Sequence, residues 1–315
     1  MSPPLPHAPA AAAGAPLRVA VTGSTGLIGT PLVRALRADG HTVLRLVRSR
    51  PVSGGDEVYW NPALGEIDTA ALEGVDAVVH LAGENVGQPP WTEERKRRIR
   101  GSRVQGTTLI ARTLAGLSPR PQVLVSASAT GFYGDRGDEV LTEESGPGSG
   151  FLAEVCQAWE ASADPARDAG IRVVHPRIGV VLTREGGALE RLLTPFKLGV
   201  GGKLGSGRQW MSWVALHDVL EAVRFALSAD SLSGPANLTS PAPVTNEEFT
   251  RTLGHVLGRP TVLGVPEFAL KLALGQMADE ALLASQRAVP DRLREAGFVF
   301  QYPDLEGALR VALGR

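Results

Sequence analysis

The sequence predicts an α/β fold: a doubly wound parallel sheet with a smaller C-terminal lobe. Three observations support this prediction. A β-branched run at Val19–Val21 enters the glycine-rich turn TGSTGLIG, and an amphipathic segment with Leu32, Val33 and Leu36 on one face follows at once. Further short apolar runs alternate with helical patterns along the chain. The length of 315 residues suffices for one large α/β domain with an appendage.

The glycine turn carries the clearest functional signal. Gly23, Gly26 and Gly29 follow one another at spacings of three, between a predicted strand and a predicted helix. The first glycine allows a sharp turn, the second lets backbone N–H groups approach a pyrophosphate, and the third lets the helix pack close to the sheet. The predicted cofactor-binding residues of this turn are Gly23, Thr25, Gly26, Leu27, Ile28 and Gly29. We therefore expect a dinucleotide to lie on the N-terminus of the first helix.

The second predicted strand, His41–Val47, indicates which dinucleotide binds. A cofactor with a free ribose 2′-hydroxyl usually meets an acidic residue roughly 20 positions beyond the glycine turn. The chain has Arg45, Arg48 and Arg50 there instead. A guanidinium can bind a 2′-phosphate through two hydrogen bonds, so NADP(H) is favoured over NAD(H). Arg48, directly after the strand, is the best single candidate, and a solvated basic loop is the alternative.

Two further predicted strands end in small or hydroxylated residues. Val75–Leu81 is nearly continuous in apolar residues and leads into Ala82, where a cofactor could lie against the backbone. His80 within this run is interpreted as a core residue rather than a catalytic base. Val123–Ser126 leads into SASATGFYG, which places hydroxyl groups at the carboxyl end of a strand. Open α/β sheets bind their ligands at that edge.

The remaining pattern is mainly helical. A charge-dense helix is predicted at Trp91–Arg103, an apolar-faced helix at Phe151–Asp168, and a strand with its continuation at Ile171–Leu182. Thr245 and Glu248 form the capping-box pattern of a helix start. The C-terminal segment carries few reactive groups.

The composition of the chain limits which domains and which binding partners are expected. Residues 1–16 are rich in Ala and Pro without Lys or Arg, which predicts a disordered tail rather than a signal peptide. We expect a dinucleotide-binding domain at 17–240 and a small helical domain at 241–315, whose lobe also draws on 183–207. The net charge of −1 implies no nucleic-acid partner, and no apolar run approaches the roughly 20 residues that a membrane helix needs. The single cysteine, Cys156, fits a cytoplasmic protein, and no spacing of ligands suggests a metal site.

Six motifs in order resemble those of the extended short-chain dehydrogenases/reductases, and more narrowly the epimerase-like SDR39U1-type subfamily. They are TGSTGLIG, HLAGENV, WTEERKRRIRGSR, SASATGFYG, FLAEVCQAWE and GSGRQWMSWVALHDV. The segment from about Pro243 resembles the C-terminal domain of that subfamily. Together the resemblance covers nearly everything after residue 16.

The resemblance implies a seven-stranded parallel Rossmann sheet and a C-terminal lobe that forms one wall of the substrate cleft. It implies that the three glycines hold the pyrophosphate and that Arg48 meets the adenosine phosphate. Leu81 and Ala82 would lie along the cofactor, and Arg103 is a further cofactor-binding position. The implied ligands are NADP(H) and a small carbonyl or sugar-like substrate, and a homodimer is possible.

One departure from the family pattern bears on chemistry. Extended members carry Tyr-x-x-x-Lys on the helix that begins here at Phe151, with the tyrosine as general acid/base and the lysine lowering its pKa. Aligning the helix on Glu160 puts Leu152 and Cys156 at those positions, and a shift by one puts Phe151 and Val155 there. Neither register supplies a phenol or an ammonium group.

The remaining candidates for proton transfer are Ser128 (or Ser126), Glu154 and Tyr133. The sequence thus predicts an NADP(H)-binding, epimerase-like oxidoreductase with a non-standard active site. The alternative is a non-catalytic NADP(H)-binding sensor or scaffold. A standard nucleotide-sugar epimerase is a weaker third hypothesis, because the tyrosine and the lysine are missing.

Overall fold

The computed structural model describes residues 15–51 and 55–315. The strands are β1 Arg18–Thr22, β2 Thr42–Val47, β3 Glu57–Asn61, β4 Glu66–Ile67, β5 Ala77–His80, β6 Val123–Ser126, β7 Ser128–Ala129, β8 Val140–Leu141, β9 Arg172–Ile178, β10 Val180–Leu182, β11 Trp210–Met211, β12 Trp213–Ala215, β13 Gly234–Leu238, β14 Val244–Thr245 and β15 Arg287–Ala288. The α-helices are α1 Gly29–Ala38, α2 Glu93–Gly116, α3 Phe151–Ala161, α4 Asp164–Asp168, α5 Gly187–Lys197, α6 Leu216–Ser228, α7 Asn246–Leu257, α8 Glu267–Leu274, α9 Asp291–Glu295 and α10 Leu305–Leu313. The tail predicted for residues 1–16 falls outside the described residues, apart from the last two.

Seven parallel strands form the central sheet in the order β13-β9-β6-β5-β1-β2-β3, and β4 adds an antiparallel edge. The chain builds β2 and β3 outward on one side of β1 and then crosses to β5, β6, β9 and β13 on the other. At the end of β1, Thr22 pairs with Leu46 of β2 and with His80 of β5. The strand order therefore reverses at β1, the place where open α/β sheets bind ligands. The doubly wound parallel sheet is confirmed.

Helices cover both faces of this sheet. On one face, α1 and α6 pack through residues such as Leu32, Leu36 and Val223. On the other face, α2 and α4 pack through residues such as Ile110 and Ala166. Central strands buried on both faces have no solvent side for polar residues, which explains their continuous apolar runs.

A second core lies in the C-terminal lobe. It joins β10, β12, α5, α7 and α10 around Phe196, Trp213 and Phe249, none of which is more than 2% exposed. The chain beyond residue 240 also returns to the first core, where Leu293 and Phe298 pack beside the sheet. The division at residue 240 stays a prediction, since the following segment contributes to both cores.

Two predicted elements are divided in the structure. The predicted helix Phe151–Asp168 is two helices, α3 and α4, because Pro165 lies in the first turn of α4 and cannot continue a preceding helix. The predicted strand Ile171–Leu182 breaks at Gly179 into β9 and β10. A Cβ atom at Gly179 would lie 2.6 Å from the carbonyl oxygen of Ser212, so the chain leaves the central sheet through a close backbone approach.

The starts of α2 and α7 can be compared with the sequence predictions. The charged segment predicted at Trp91–Arg103 belongs to the 24-residue α2, which begins after Thr92 and continues to Gly116. The capping prediction for α7 is confirmed on the threonine side, where Thr245 Oγ1 accepts a hydrogen bond of 3.2 Å from the N–H of Glu248. Within the described ranges, no helix combines the length and apolar character needed to cross a membrane.

Candidate cofactor site and substrate cleft

The glycine turn connects β1 to α1 in a space that excludes side chains. Gly23 has a φ of +65°, and a Cβ atom there would lie 2.9 Å from the carbonyl carbon of Leu81. A Cβ atom at Gly29 would overlap the Gly23 carbonyl oxygen and lie 2.9 Å from the Cα of Ser24. The N–H of Gly26 donates to the Gly23 carbonyl at 2.9 Å and closes the turn. Only glycine fits at the two ends of this turn.

The tip of the turn faces solvent. Thr25 and Gly26 are exposed, and α1 starts three residues beyond Gly26 with no side-chain cap on its first turn. Exposed backbone N–H groups at a helix N-terminus suit a pyrophosphate. Leu27 packs against the glycine pair that starts α5, and Ile28 packs onto the first core. The residues present therefore fit a dinucleotide.

The segment after β5 is held beside this turn by Thr22. Its Oγ1 accepts hydrogen bonds from the N–H groups of Leu81 at 3.1 Å and Ala82 at 3.2 Å, and contacts His80 Nδ1 at 2.7 Å. The hydroxyl accepts twice, so its own hydrogen is directed to the imidazole. The two predicted cofactor-contacting residues, Leu81 and Ala82, are thereby fixed next to the glycine turn.

His80 is a core residue, which confirms that interpretation over a catalytic base. Its side chain has no exposed surface, and its ring lies edge-on to Trp60 with centroids 5.8 Å apart. Because Nδ1 accepts from Thr22, the neutral ring carries its proton on Nε2, which has no hydrogen-bond partner among the described residues. Burial lowers the pKa of His80 to about 4.

This buried imidazole predicts a loss of stability in mild acid. The unfolded chain binds a proton at His80 with a pKa near 6.5, whereas the folded chain does so only near pH 4. Stability from this group is therefore complete above pH 6.5 and falls by about 3 kcal/mol toward pH 4. Urea unfolding of the wild type and of His80→Asn at pH 7 and 4.5 measures the difference. If the free energy of unfolding of His80→Asn fell with pH as much as that of the wild type, the prediction would be contradicted. The control is His255→Asn, at an exposed histidine.

The three arginines predicted near the adenosine end have different surroundings. Arg45 forms ion pairs with Asp56 at 3.0 Å and Glu57 at 2.8 Å. The guanidinium of Arg50 lies over the ring of Tyr59, 5.1 Å from its centroid. Arg48 is exposed directly after β2 and enters none of the ion pairs formed among the described residues. Its guanidinium is therefore open to solvent, whereas Arg45 is held by two carboxylates.

Arg103, on α2, lies beside the segment after β5, on the side of β1 opposite to β2 and its arginines. Its Nη1 donates to the carbonyl oxygens of Glu84 at 3.0 Å and Ile99 at 3.1 Å. A Cβ atom at Gly83 would lie 3.2 Å from its Cζ, and the guanidinium lies over Trp159 of α3, 4.8 Å from the ring centroid. Burial lowers the pKa of Arg103. A fixed cation thus stands beside the segment that follows β5.

A cavity of about 380 Å³ opens between the sheet domain and the C-terminal lobe. Residues on both sides line it, among them Gly131, Ser149, Leu152, Lys271, Asp279 and Glu280. In the register that aligns α3 on Glu160, Leu152 takes the position expected for the family tyrosine. The volume is in the range of small-molecule sites. We therefore regard this cavity as the candidate substrate cleft.

Two of the predicted catalytic residues belong to a buried network instead of this cleft. Ser128 is 2% exposed, and its Oγ donates to Glu160 at 2.7 Å. Glu160 in turn accepts two hydrogen bonds from Arg177, at 2.8 and 2.9 Å. Tyr133 has no exposed surface, and its hydroxyl is bonded to Arg177, Asn237 and a backbone carbonyl. Neither Ser128 nor Tyr133 lines the cavity.

The third candidate, Glu154, is exposed on α3 and does not line the cavity. Cys156, at the lysine position in that same register, is 4% exposed, and burial raises the pKa of its thiol to about 11. It is therefore a neutral thiol at neutral pH. The catalytic assignments of Ser128, Glu154 and Tyr133 stay predictions that this geometry does not support.

The carboxylate nearest the start of α3 is Glu280, which the sequence did not indicate. It accepts hydrogen bonds from the N–H groups of Phe151 at 3.1 Å and Leu152 at 2.7 Å, and from Gln276 at 2.6 Å. It lies on a single π-helical turn, a conformation frequent at functional sites. The sequence signal for a partner at this helix start was weak. The N-cap residue of α3 is Gly150, which has no side chain to accept hydrogen bonds from the first turn.

The fold and the glycine turn define a dinucleotide-binding α/β protein. Residues 19–237 match the model of the NAD dependent epimerase/dehydratase family, and residues 265–312 match a domain of unknown function, DUF1731. An epimerase family protein of Mycobacterium leprae is 46% identical over 297 residues, covering 94% of this chain and 96% of the relative. The chloroplastic SDR39U1 homolog of Arabidopsis thaliana is 41% identical over 307 residues, covering 94% and 87%.

Solved structures agree with these sequence matches. Human epimerase family protein SDR39U1 (isoform 2) with NADPH superposes with a TM-score of 0.87 at 33% identity, covering 95% of this chain and all of that one. The nucleoside-diphosphate sugar epimerase from Corynebacterium glutamicum gives 0.79 at 40% identity, and this chain spans 59% of its length. The chain belongs to the NAD dependent epimerase/dehydratase family and, within it, to the epimerase-like SDR39U1-type subfamily.

Proposed function

We propose that the protein is an NADP(H)-dependent, epimerase-like oxidoreductase acting on a small carbonyl or sugar-like compound. When bound, the nicotinamide would supply hydride transfer. The glycine turn, Leu81 and Ala82 would bind the dinucleotide, with Arg48 and Arg103 contacting it on opposite sides of β1. The NADPH bound to the human relative supports the choice of cofactor.

The position of Arg48 is the observation that carries the preference for NADP(H). An acidic group near the ribose would favour a free 2′-hydroxyl, but the carboxylates of Asp56 and Glu57 are paired with Arg45. Arg48 lies two residues beyond Leu46, the strand partner of Thr22 just before the glycine turn. Its guanidinium can therefore reach a 2′-phosphate and bind it through two hydrogen bonds.

Replacement of Arg48 tests this preference. We expect Arg48→Ala to weaken NADPH binding about 10- to 100-fold, because a charge-assisted phosphate contact is lost. NADH binding should change by less than twofold. Fluorescence titration of both cofactors measures the two dissociation constants, and Arg50→Ala, whose guanidinium lies over Tyr59, is the matched control. An equal loss for both cofactors would remove Arg48 from the phosphate site.

Within this proposal, polar groups that line the cleft carry out the proton transfer. Glu280 is the best placed, since its carboxylate is 2.7 Å from the backbone N–H of Leu152, where the family tyrosine would stand. Ser128 remains a second candidate only if the hydroxyl leaves its bond to Glu160.

The second candidate function is a non-catalytic NADP(H)-binding sensor or scaffold. It is favoured by Leu152 and the neutral Cys156 at the tyrosine and lysine positions. Oxidation of NADPH in the presence of a panel of small aldehydes, ketones and keto sugars separates the two. Turnover that Glu280→Gln reduces and Glu154→Gln leaves unchanged supports the enzyme, whereas binding without turnover supports the sensor.

A further inference from the structure

The candidate substrate cleft carries an excess of negative charge. Its lining includes four carboxylates and one ammonium group, which belong to Asp135, Glu267, Asp279, Glu280 and Lys271. Among the described residues, no arginine and no second lysine line it. A cleft lined mainly by one sign of charge concentrates ligands of the opposite sign. The cleft therefore disfavours a phosphate-bearing compound such as a nucleoside diphosphate.

The ammonium group of the cleft is already engaged by two of these carboxylates. Lys271 Nζ lies 2.7 Å from Glu267 Oε1 and 3.0 Å from Asp279 Oδ1. Each carboxylate uses one oxygen for this contact, and its second oxygen enters no hydrogen bond or ion pair within the described part of the chain. The lysine is thus neutralised inside the cleft, while two acceptor oxygens stay open to a ligand.

A buried amide adds a fixed acceptor to the same cavity. Gln209 lines the cavity but is only 7% exposed. Its Nε2 donates to the carbonyl oxygens of Leu204 and Leu282, both at 3.1 Å. The amide cannot turn over without losing both bonds, so Oε1 is the atom left without a partner among the residues described. A buried acceptor of this kind costs free energy until a donor reaches it.

The other carboxylates of the cleft offer acceptors as well. Asp135 Oδ1 accepts from the N–H groups of Gly137 at 3.3 Å and Ser285 at 3.1 Å, which leaves Oδ2 for a ligand. Glu280 is held by the start of α3 and by Gln276. A ligand of this cleft must therefore donate hydrogen bonds. The volume of about 380 Å³ is near the lower end for small-molecule sites, which suits a single ring.

We propose that the cleft takes a positively charged, amine-bearing compound of monosaccharide size. Its N–H and O–H groups donate to Gln209 Oε1 and to the open oxygens of Glu267 and Asp279. This inference deepens the proposed function and rests on it, since the cavity is taken as the substrate site. The positive charge separates this substrate class from phosphate-bearing sugars.

Three sugars with the same ring and different charges test the proposal: glucosamine, glucose and glucose 6-phosphate. We expect the NADPH-loaded protein to bind glucosamine more tightly than glucose, and glucose 6-phosphate about tenfold or more weakly than glucosamine. Ligand-observed NMR titrations measure the three dissociation constants, and added salt should narrow the differences. Glucose 6-phosphate that binds as tightly as glucosamine, or glucosamine that does not bind, overturns the proposal.

The double variant Glu267→Gln/Asp279→Asn should reverse the preference. The two side chains are 56% and 51% exposed, so the fold should tolerate both changes. Because Lys271 is then free, we expect the variant to lose its preference for glucosamine and to bind glucose 6-phosphate about tenfold more tightly than the wild type does. The control Asp230→Asn/Glu248→Gln changes the net charge equally at exposed positions outside the cleft. An unchanged preference in the cleft variant, or the same shift in the control, overturns the proposal.

Gln209→Met tests the buried acceptor. Loss of Oε1 should weaken glucosamine binding about tenfold while NADPH binding is unchanged, and wild-type affinity for glucosamine overturns the role of Gln209. Thermal unfolding shows whether this variant folds, and if it does not, the double carboxylate variant decides. Wild-type protein that fails to bind NADPH contradicts the proposed function instead. The sugar series is then measured on the protein without cofactor.

Discussion

Gly29→Ala is expected to weaken NADPH binding roughly a hundredfold, because the glycine turn proposed to bind the pyrophosphate cannot keep its shape. The new methyl group would overlap the carbonyl oxygen of Gly23 and lie 2.8 Å from its carbonyl carbon. Both contacts are with backbone, so a rotamer change cannot relieve them. The overpacking should also lower the free energy of unfolding by about 1–3 kcal/mol.

Two measurements decide this prediction: the dissociation constant of NADPH and the urea midpoint. Gly116→Ala is the matched control, because that glycine ends α2 without a positive φ, and an added methyl group would meet no described atom within 4 Å. The control should bind NADPH as the wild type does. Wild-type affinity in Gly29→Ala would show that the turn does not form the cofactor site.

Arg177→Met is expected to destabilise the protein by about 3–5 kcal/mol, because it leaves a carboxylate buried without its partner. Arg177 is 3% exposed and forms two hydrogen bonds to Glu160. It also donates to the Tyr133 hydroxyl at 3.0 Å, and its guanidinium lies 3.5 Å from the centroid of the Phe132 ring. One substitution therefore breaks several buried interactions at the carboxyl end of β9.

A double variant separates the ion pair from the other contacts of Arg177. Arg177→Met leaves the Glu160 carboxylate buried without a partner, and Glu160→Gln removes that charge. The double variant Arg177→Met/Glu160→Gln should therefore be more stable than Arg177→Met alone. Arg98→Met is the control, because the Arg98–Glu94 pair on α2 is exposed and its loss should cost less than about 1 kcal/mol. Urea unfolding followed by tryptophan fluorescence gives the free energies of unfolding of the wild type, Arg177→Met, the double variant and Arg98→Met. Equal effects at Arg177 and Arg98 would contradict the prediction.

Local patterns predicted the elements that form the candidate cofactor site. The glycine spacing, the β-branched run before it and the arginines after the second strand are all contained within about thirty residues. Their physical meaning is local, because a strand, a tight turn and a helix start depend on neighbouring residues. The same patterns predicted that β5 would be buried and that His80 would belong to the core, as the structure confirms.

The catalytic candidates were harder to judge, because burial of a polar group depends on distant partners. The SASATGFYG motif correctly marked a strand end, but Tyr133 is held in the core by Asn237, which lies 104 residues further along the chain. Glu280 reaches the start of α3 across about 130 residues and has no local motif. The first pairing is set by the place of β13 beside β9 in the central sheet, and the second by the docking of the lobe onto α3.

The sequence by itself determined the parallel sheet, the glycine turn and the family of this protein. Each strand and turn follows from residues close together in the chain, and the family follows from six such local motifs in order. It also determined that the helix at Phe151 has neither a phenol nor an ammonium group at the expected positions. Only the tertiary structure decided which charged groups remain open to a ligand. Ion pairing engages Arg45 and Glu160, while Arg48 stays exposed after β2 and Glu280 lines the cavity beside the start of α3.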